Sequence, residues 1–154
     1  MAQVQSETAG REIVTVRTFK APPAVVFAAF TAPESLAQWW GPNGFATTTL
    51  EMHFAVGGVW RFIMHGPDGT DYPNKITYTA IVPNELIEYD HNGDDDGPAH
   101  FHTIAQFREN NGGTELTFLA ILPTVEAYEK IKGFAVEGAQ QTIARLALFV
   151  GEGD

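Results

Sequence analysis

Five histidines, His53, His65, His91, His100 and His102, are the side chains in which chemistry is sought first. His100 and His102 lie two apart in a β-rich run, so their imidazoles share a strand face and offer two nitrogens to a metal. No third ligand falls at a useful spacing and no His-Glu-x-x-His pattern is present, so a surface pair is the simpler reading and no metal is assigned. Asn92-Gly93-Asp94-Asp95-Asp96-Gly97 lacks the alternating ligands and terminal glutamate of a calcium loop and reads as a solvated acidic turn. A phosphate loop and a Gly-x-Ser-x-Gly elbow are both missing, which disfavours nucleotide binding and serine hydrolysis. Arg61, Tyr78, Tyr89 and His102 are the polar groups that a folded interior could use for acid or base work. Arg61 and His102 have the opposite parity to Trp60 and Phe101, which sends them outward, while Tyr78 and Tyr89 also fit as core residues with hydroxyls at a rim. No constellation assigns a catalytic residue, and no cofactor is implied.

These residues are carried by a chain of 154, the size of one domain, with 44% hydrophobic content and 11 Phe, 4 Tyr and 3 Trp to build a core. A net charge of −10 repels phosphate backbones and anionic lipid, so nucleic acid is not an expected partner. The absence of cysteine removes disulfides and thiolate chemistry and is compatible with a reducing compartment. The start MAQVQSETAGRE is not signal-like and no apolar stretch reaches the roughly 20 residues of a membrane span; a soluble cytoplasmic protein without membrane insertion is expected.

Residues 1–11 read as a loose lead-in to one domain spanning 1–154, with an ordered core over about 12–150. Ile13 to Phe19 is a β-branched run stopped by Ala21-Pro22-Pro23. Val25, Val26, Phe27 and Phe30 then recur at helical spacing, and Thr31-Ala32-Pro33-Glu34 reads as a capping box with Thr31 as N-cap of a second short helix. That helix ends in Trp39-Trp40-Gly41-Pro42. Turn residues then separate β-rich runs near 46–54, 58–65, 74–82, 85–91, 100–109 and 114–121. Beyond Pro123 the period becomes helical, with Thr124 as N-cap and Gly151 as stop; Gly133 and Gly138 make a break in the first half plausible. Ala135, Ala139, Ile143, Leu146 and Val150 share one face of this helix, with Glu137, Gln141, Thr142 and Arg145 off it.

Strands joined by such short turns cannot be parallel, so the order specifies an α+β fold: a curved seven-stranded antiparallel sheet with two short helices between its first two strands and a long C-terminal helix across its concave face. On one parity the strands present Trp60, Phe62, Met64, Ile76, Tyr78, Ile87, Tyr89, Leu116 and Phe118 towards a helix stripe of small and aliphatic residues. Either these aromatics fill the interior themselves or a ligand-sized apolar pocket remains. Trp39 and Trp40, being adjacent, point in different directions: one anchors the helix pair and the other faces the pocket mouth or solvent.

The order and spacing of Trp39-Trp40-Gly41-Pro42, Val56-Gly57-Gly58, Val59-Trp60-Arg61-Phe62, Gly66-Pro67-Asp68-Gly69 and Gly138 resemble the family named after the activator of heat-shock protein 90 ATPase, within the START-like (SRPBCC) helix-grip superfamily. The resemblance runs from about residue 12 to 150. It implies a hydrophobic cavity between sheet and C-terminal helix, used in the superfamily for lipids, polyketides and other metabolites, and by a few relatives for cyclase or hydrolase chemistry. The fold alone does not choose among these. Similar sequences carry Gly-Trp where this chain has Gly138-Ala139, so the methyl of Ala139 either enlarges the cavity or draws in a neighbour such as Phe134. The expected lining is Trp39, Trp40, Trp60, Phe62, Met64, Tyr78, Tyr89, Phe118, Phe134, Ala139 and Ile143. The leading expectation is binding of a small hydrophobic molecule. An enzyme of cyclase, dehydratase or hydrolase type on an apolar substrate is the alternative, and a chaperone ATPase accessory protein, suggested by the family name, is the third. A sheet edge or the convex sheet face offers a surface for a homodimer.

Overall fold

The computed structural model of the chain describes residues 10–93 and 100–152. Strand β1 (Glu12–Phe19) is followed by helices α1 (Pro23–Ala28) and α2 (Pro33–Trp39), each opening on a proline whose missing N–H has no helical partner to lose. Strands β2 (Ala46–Met52), β3 (Val59–His65), β4 (Asp71–Val82), β5 (Leu86–Gly93), β6 (Phe101–Asn110) and β7 (Gly113–Ile121) precede helix α3 (Val125–Phe149). The strands form one antiparallel sheet in the order β1-β7-β6-β5-β4-β3-β2, the α+β helix-grip architecture. Only β1 and β7 pair out of sequence, bringing the first and last strands together. No helix among the described residues is long and apolar enough to cross a membrane.

Cross-strand register decides which side chains meet. One row on the concave face runs Tyr78, Tyr89, Thr103, Ala120 and Ile13, each opposite the next across β4, β5, β6, β7 and β1. Bulges between Thr49 and Glu51 and between Tyr78 and Ala80 increase the local twist and help the sheet curl around α3. The turn into β3 needs glycine at one position: a Cβ on Gly58 would stand 2.1 Å from the carbonyl oxygen of His53. Gly58 there donates to Ala55 O at 2.7 Å and accepts from Tyr78 N at 3.0 Å, tying the turn to β4.

Several local expectations are corrected. Thr31 is not the N-cap of α2; that place is taken by Ala32, without a side-chain hydrogen bond, while the Thr31 hydroxyl donates back to Ala28 O at 2.8 Å and closes α1 instead. Helix α3 is unbroken over 25 residues despite Gly133 and Gly138. Each glycine costs about 1 kcal/mol of helix propensity, yet neither removes a backbone hydrogen bond, so continuity survives. Thr124 caps α3 by accepting from Ala127 N at 3.0 Å, and Gly151 follows its end at φ +91°. Thr142 is buried rather than off the inner face, its hydroxyl satisfied by Gly138 O at 2.8 Å. Strand β4 begins earlier than expected, at Asp71, and β5 continues to Gly93, absorbing the start of the acidic segment. Asp94 to Gly97 of that segment, and residues 1–9 of the lead-in, lie outside the described residues. Arg11, also assigned to the lead-in, is fixed: its Nη1 and its carbonyl both bond Leu122.

Two side chains lock α3 onto the sheet. Arg145 Nη1 donates to the carbonyls of Gly41, Pro42 and Phe45 at 2.8, 3.0 and 3.1 Å, holding the loop after α2 against the helix. Beyond the helix, the Glu152 carboxylate accepts from the backbone N–H of Lys20 and Ala21 at 2.8 and 2.7 Å, pinning the segment after α3 to the segment after β1.

Candidate functional site

The space between sheet and helix is divided in two. Towards β3 and β4 the aromatics fill it themselves: Trp60 stacks on Phe62 at 3.9 Å, Trp40 meets Trp60 edge-on at 5.0 Å, and Phe54 meets Tyr78 at 5.0 Å. What is left there, between Trp40, Trp60, Tyr78 and Tyr89, is a void of about 10 Å³, at the lower limit for one water. Towards β1 and β7 the interior is hollow. A cavity of about 150 Å³ lies between Ile13, Phe101, Phe118, Ala120 and Leu122 of the sheet side and Ile131, Ala135 and Ala139 of α3. The cause is in the helix sequence: α3 buries Ile143, Leu146 and Ala147 against the sheet in its second half, whereas its first half offers mainly alanine methyls.

The buried tyrosines and histidine on this face are held neutral. Burial pushes the phenols of Tyr78 and Tyr89 above their ordinary value; for Tyr89, Thr103 opposes the rise and Tyr78 adds to it. Burial, helped by the nearby His100, lowers His91 to about 3, so its imidazole is uncharged at neutral pH. His91 Nε2 donates to Asn74 Oδ1 at 2.8 Å and its ring lies 4.6 Å from that of Phe101 at the cavity's edge. Thr103 is 1% exposed, and its hydroxyl lies near Tyr89 without completing a hydrogen bond.

The residues expected to line a pocket separate into groups. Phe118 and Ala139 line the larger cavity; Trp40, Trp60, Tyr78 and Tyr89 surround the small void. Phe62 and Ile143 are buried in the core, and Met64 is half-buried close to Gly41. Trp39 is fully buried as an anchor, its indole donating to Ala29 O at 3.0 Å and its ring packed 4.8 Å from Phe30, while Trp40 turns inward. Neither tryptophan faces solvent. Phe134 does not line the 150 Å³ cavity: it is 71% exposed on an open groove that it shares with Pro42, Phe45, Gly138 and Ala139, so its ring does not fill the interior place expected for it. Ile13, Phe101, Ala120, Leu122, Ile131 and Ala135 were not among the expected lining, although Ala135 shares the helix face of Ala139 and the alternation of Phe101, Thr103, Ala105 and Phe107 marks the inner face of β6.

His102 and His65 lie on the other face of the sheet. His102 is on the convex face with Nδ1 2.8 Å from Asp90 and Nε2 3.1 Å from Glu88. Desolvation pulls its pKa down, but the bonds to Asp90 and Glu88 and their charges outweigh it, and the net shift is upward. With both nitrogens engaged it has no lone pair for a metal, and His100 precedes β6 rather than sharing its face. Among the described residues no group of three His, Asp or Glu side chains is placed to hold a metal ion. Arg61 also points to the convex face, 3.6 Å from Glu51. Thr48, His65 and Asp71 are linked at 2.8 Å and 2.8 Å like an acyl-transfer triad, but on the open convex surface, with Asp71 60% exposed and nothing to exclude water.

Comparison with known proteins agrees with this geometry. Residues 20–151 match the model of the family described as Activator of Hsp90 ATPase homolog 1-like protein. No curated protein matches the chain. Among solved structures, a protein from Chromobacterium violaceum is 29% identical, with 94% of this chain and 99% of that one covered and a TM-score of 0.77. A solution structure from Arthrobacter aurescens shares the fold at 24% identity and a TM-score of 0.85, over 97% and 91% of the two chains. An AHSA1 protein from Silicibacter pomeroyi does so at 21% identity and a TM-score of 0.71, over 89% and 95%. The chain is therefore a member of the Activator of Hsp90 ATPase homolog 1-like family, built on the START-like helix-grip fold.

Proposed function

We propose that this protein binds a small apolar molecule, about one ring in size, in the cavity beneath the first half of α3. The observation that carries the reading is the 150 Å³ space walled by eight apolar residues, three of them alanines. An enclosed apolar cavity of this size in an engineered protein stays dry and takes up benzene; here six of the eight lining residues are half-buried, so the space also opens to solvent. Long acyl chains and fused polyketides need more room than this space offers, so an aromatic metabolite is the favoured ligand class. Binding rather than catalysis follows from the ionisable groups nearby. Burial drives Tyr78 and Tyr89 up and His91 down to about 3, away from the range where an acid or base works at neutral pH.

Titration calorimetry and thermal melts with toluene and with palmitate test this reading. Saturable toluene binding is expected with a Kd on the order of 0.1–1 mM. At ten times Kd it raises stability by about 1.4 kcal/mol, a shift in Tm of about 3–6 °C. Palmitate is expected to have no effect. Absence of any shift with toluene at millimolar concentration contradicts the reading. The chaperone-accessory alternative has a separate test in stimulation of the chaperone's ATPase, and no feature of the cavity favours it.

A further inference from the structure

We infer that the ligand is an arylalkylamine: its ring occupies the cavity, its alkyl chain crosses the flank of α3, and its ammonium group rests by Phe45 and Phe134 beside the Glu137 carboxylate. This deepens the proposed ligand reading and rests on it. Two half-buried residues, Ala135 and Ala139, wall both the 150 Å³ cavity and an open groove on the flank of α3. They stand one helical turn apart and each presents only a methyl, so little side chain separates the two spaces there. The groove continues over Gly138, where an added Cβ would meet nothing closer than Pro42 at 3.8 Å. A ring in the cavity therefore has a path outward for a substituent, along α3 and against the loop after α2.

The groove has the chemistry of an ammonium site. Phe45 comes from the loop and Phe134 from the helix, one aromatic side chain from each wall, and the face of such a ring attracts a cation. Glu137 is the ionisable residue of the groove lining. Its carboxylate accepts from Gln141 Nε2 at 3.2 Å, a neutral amide that leaves its charge uncompensated. Gln141 Oε1 in turn accepts from Asn43 N at 3.0 Å, which fixes the direction of the amide and holds Glu137 at the rim. Arg145 gives its Nη1 to the carbonyls of Gly41, Pro42 and Phe45 and is not part of the groove wall.

A carboxylate at the same place would meet Glu137 and the negative faces of the rings, on a chain whose net charge is −10. Ala139 and Glu137 lie on different sides of a helix about 10–12 Å across, which calls for a linker of about four carbons between ring and nitrogen.

Toluene, 4-phenylbutylammonium and 5-phenylpentanoate are the probes: the first needs only the cavity, and the other two share a phenylbutyl group and differ in the charge at its end. Calorimetry on the wild-type chain at low salt is expected to show the ammonium binding at least as tightly as toluene and at least about 10-fold tighter than the carboxylate. The preference narrows at high salt. Glu137→Gln is expected to reduce it to about 3-fold, with toluene, which does not reach position 137, binding as before, and Glu137→Lys is expected to abolish or reverse it. Ala139→Leu, which fills the cavity, weakens the ammonium and toluene alike. No preference in the wild type, or one that Glu137→Gln leaves unchanged, overturns the inference while toluene binding keeps the apolar site intact. Toluene binding without either longer probe also overturns it, because the groove then offers no path, as does ammonium binding undiminished in Ala139→Leu, because the amine then sits in the groove alone. If toluene itself does not bind, the ligand reading fails.

Discussion

Ala139→Leu converts the hollow half of the interior into a packed one, and its consequences follow from the cavity's size. The space of about 150 Å³ is partly open, six of its eight lining residues being half-buried, so filling it gains the burial of the added carbons rather than the cost of a closed void. Leucine adds three carbons at the helix wall, worth about 2 kcal/mol if fully buried at about 0.8 kcal/mol each. Helix propensity hardly changes between alanine and leucine, and some strain against Phe118 offsets part of the gain. The expected net effect is a stabilisation of about 1–2 kcal/mol, read as a higher urea midpoint and a Tm raised by about 2–6 °C. Toluene affinity is expected to fall at least about tenfold, since the ligand and the new side chain claim the same volume. Phe134→Ala, on the exposed side of α3, is the control, with stability within about 0.5 kcal/mol of wild type and ligand affinity unchanged. A leucine variant that loses stability and keeps its affinity for toluene refutes the placement of the cavity.

The remaining expectations concern the frame around it. His91 titrates near 6.5 when unfolded and near 3 when folded, so between those values the unfolded chain binds the extra proton. Its contribution is complete above about pH 6.5 and is lost as pH falls towards 3, by at most about 1.4 kcal/mol per pH unit. Urea unfolding at a series of pH values is expected to show this slope in the wild type and a shallower one in His91→Gln; parallel curves contradict it. Gly58→Ala forces a methyl onto the His53 carbonyl and is expected to cost about 2–4 kcal/mol, measured by chemical denaturation. Glu152→Ala removes the two bonds to Lys20 and Ala21 and is expected to cost about 1–2 kcal/mol, with faster amide exchange at those two positions.

The strands were legible because each is bounded by a chemically distinct turn, such as Gly66-Pro67-Asp68-Gly69 or Asn111-Gly112-Gly113, and because alternation assigned Trp60, Tyr78 and Tyr89 to one face. Thr124 and Gly151 marked the ends of α3 correctly. Local signals misled where a tertiary or neighbouring contact outweighed them. The Thr31 hydroxyl serves α1 rather than capping α2, and Thr142 is tolerated inside because the Gly138 carbonyl satisfies it. The presence of small residues on the helix was readable, but not which half of the interior they leave empty. That depends on Trp40 turning inward onto Trp60 and Phe62, a contact between distant elements with no periodicity to announce it.

The claim that an apolar ring is held between sheet and helix is tested most directly by methyl-labelled protein titrated with toluene and examined for intermolecular nuclear Overhauser effects. Contacts from the toluene protons to the methyls of Ala120, Ile131, Ala135 and Ala139 are the expected result. Contacts confined to the open groove around Phe134 and Phe45, or none at saturation, contradict it.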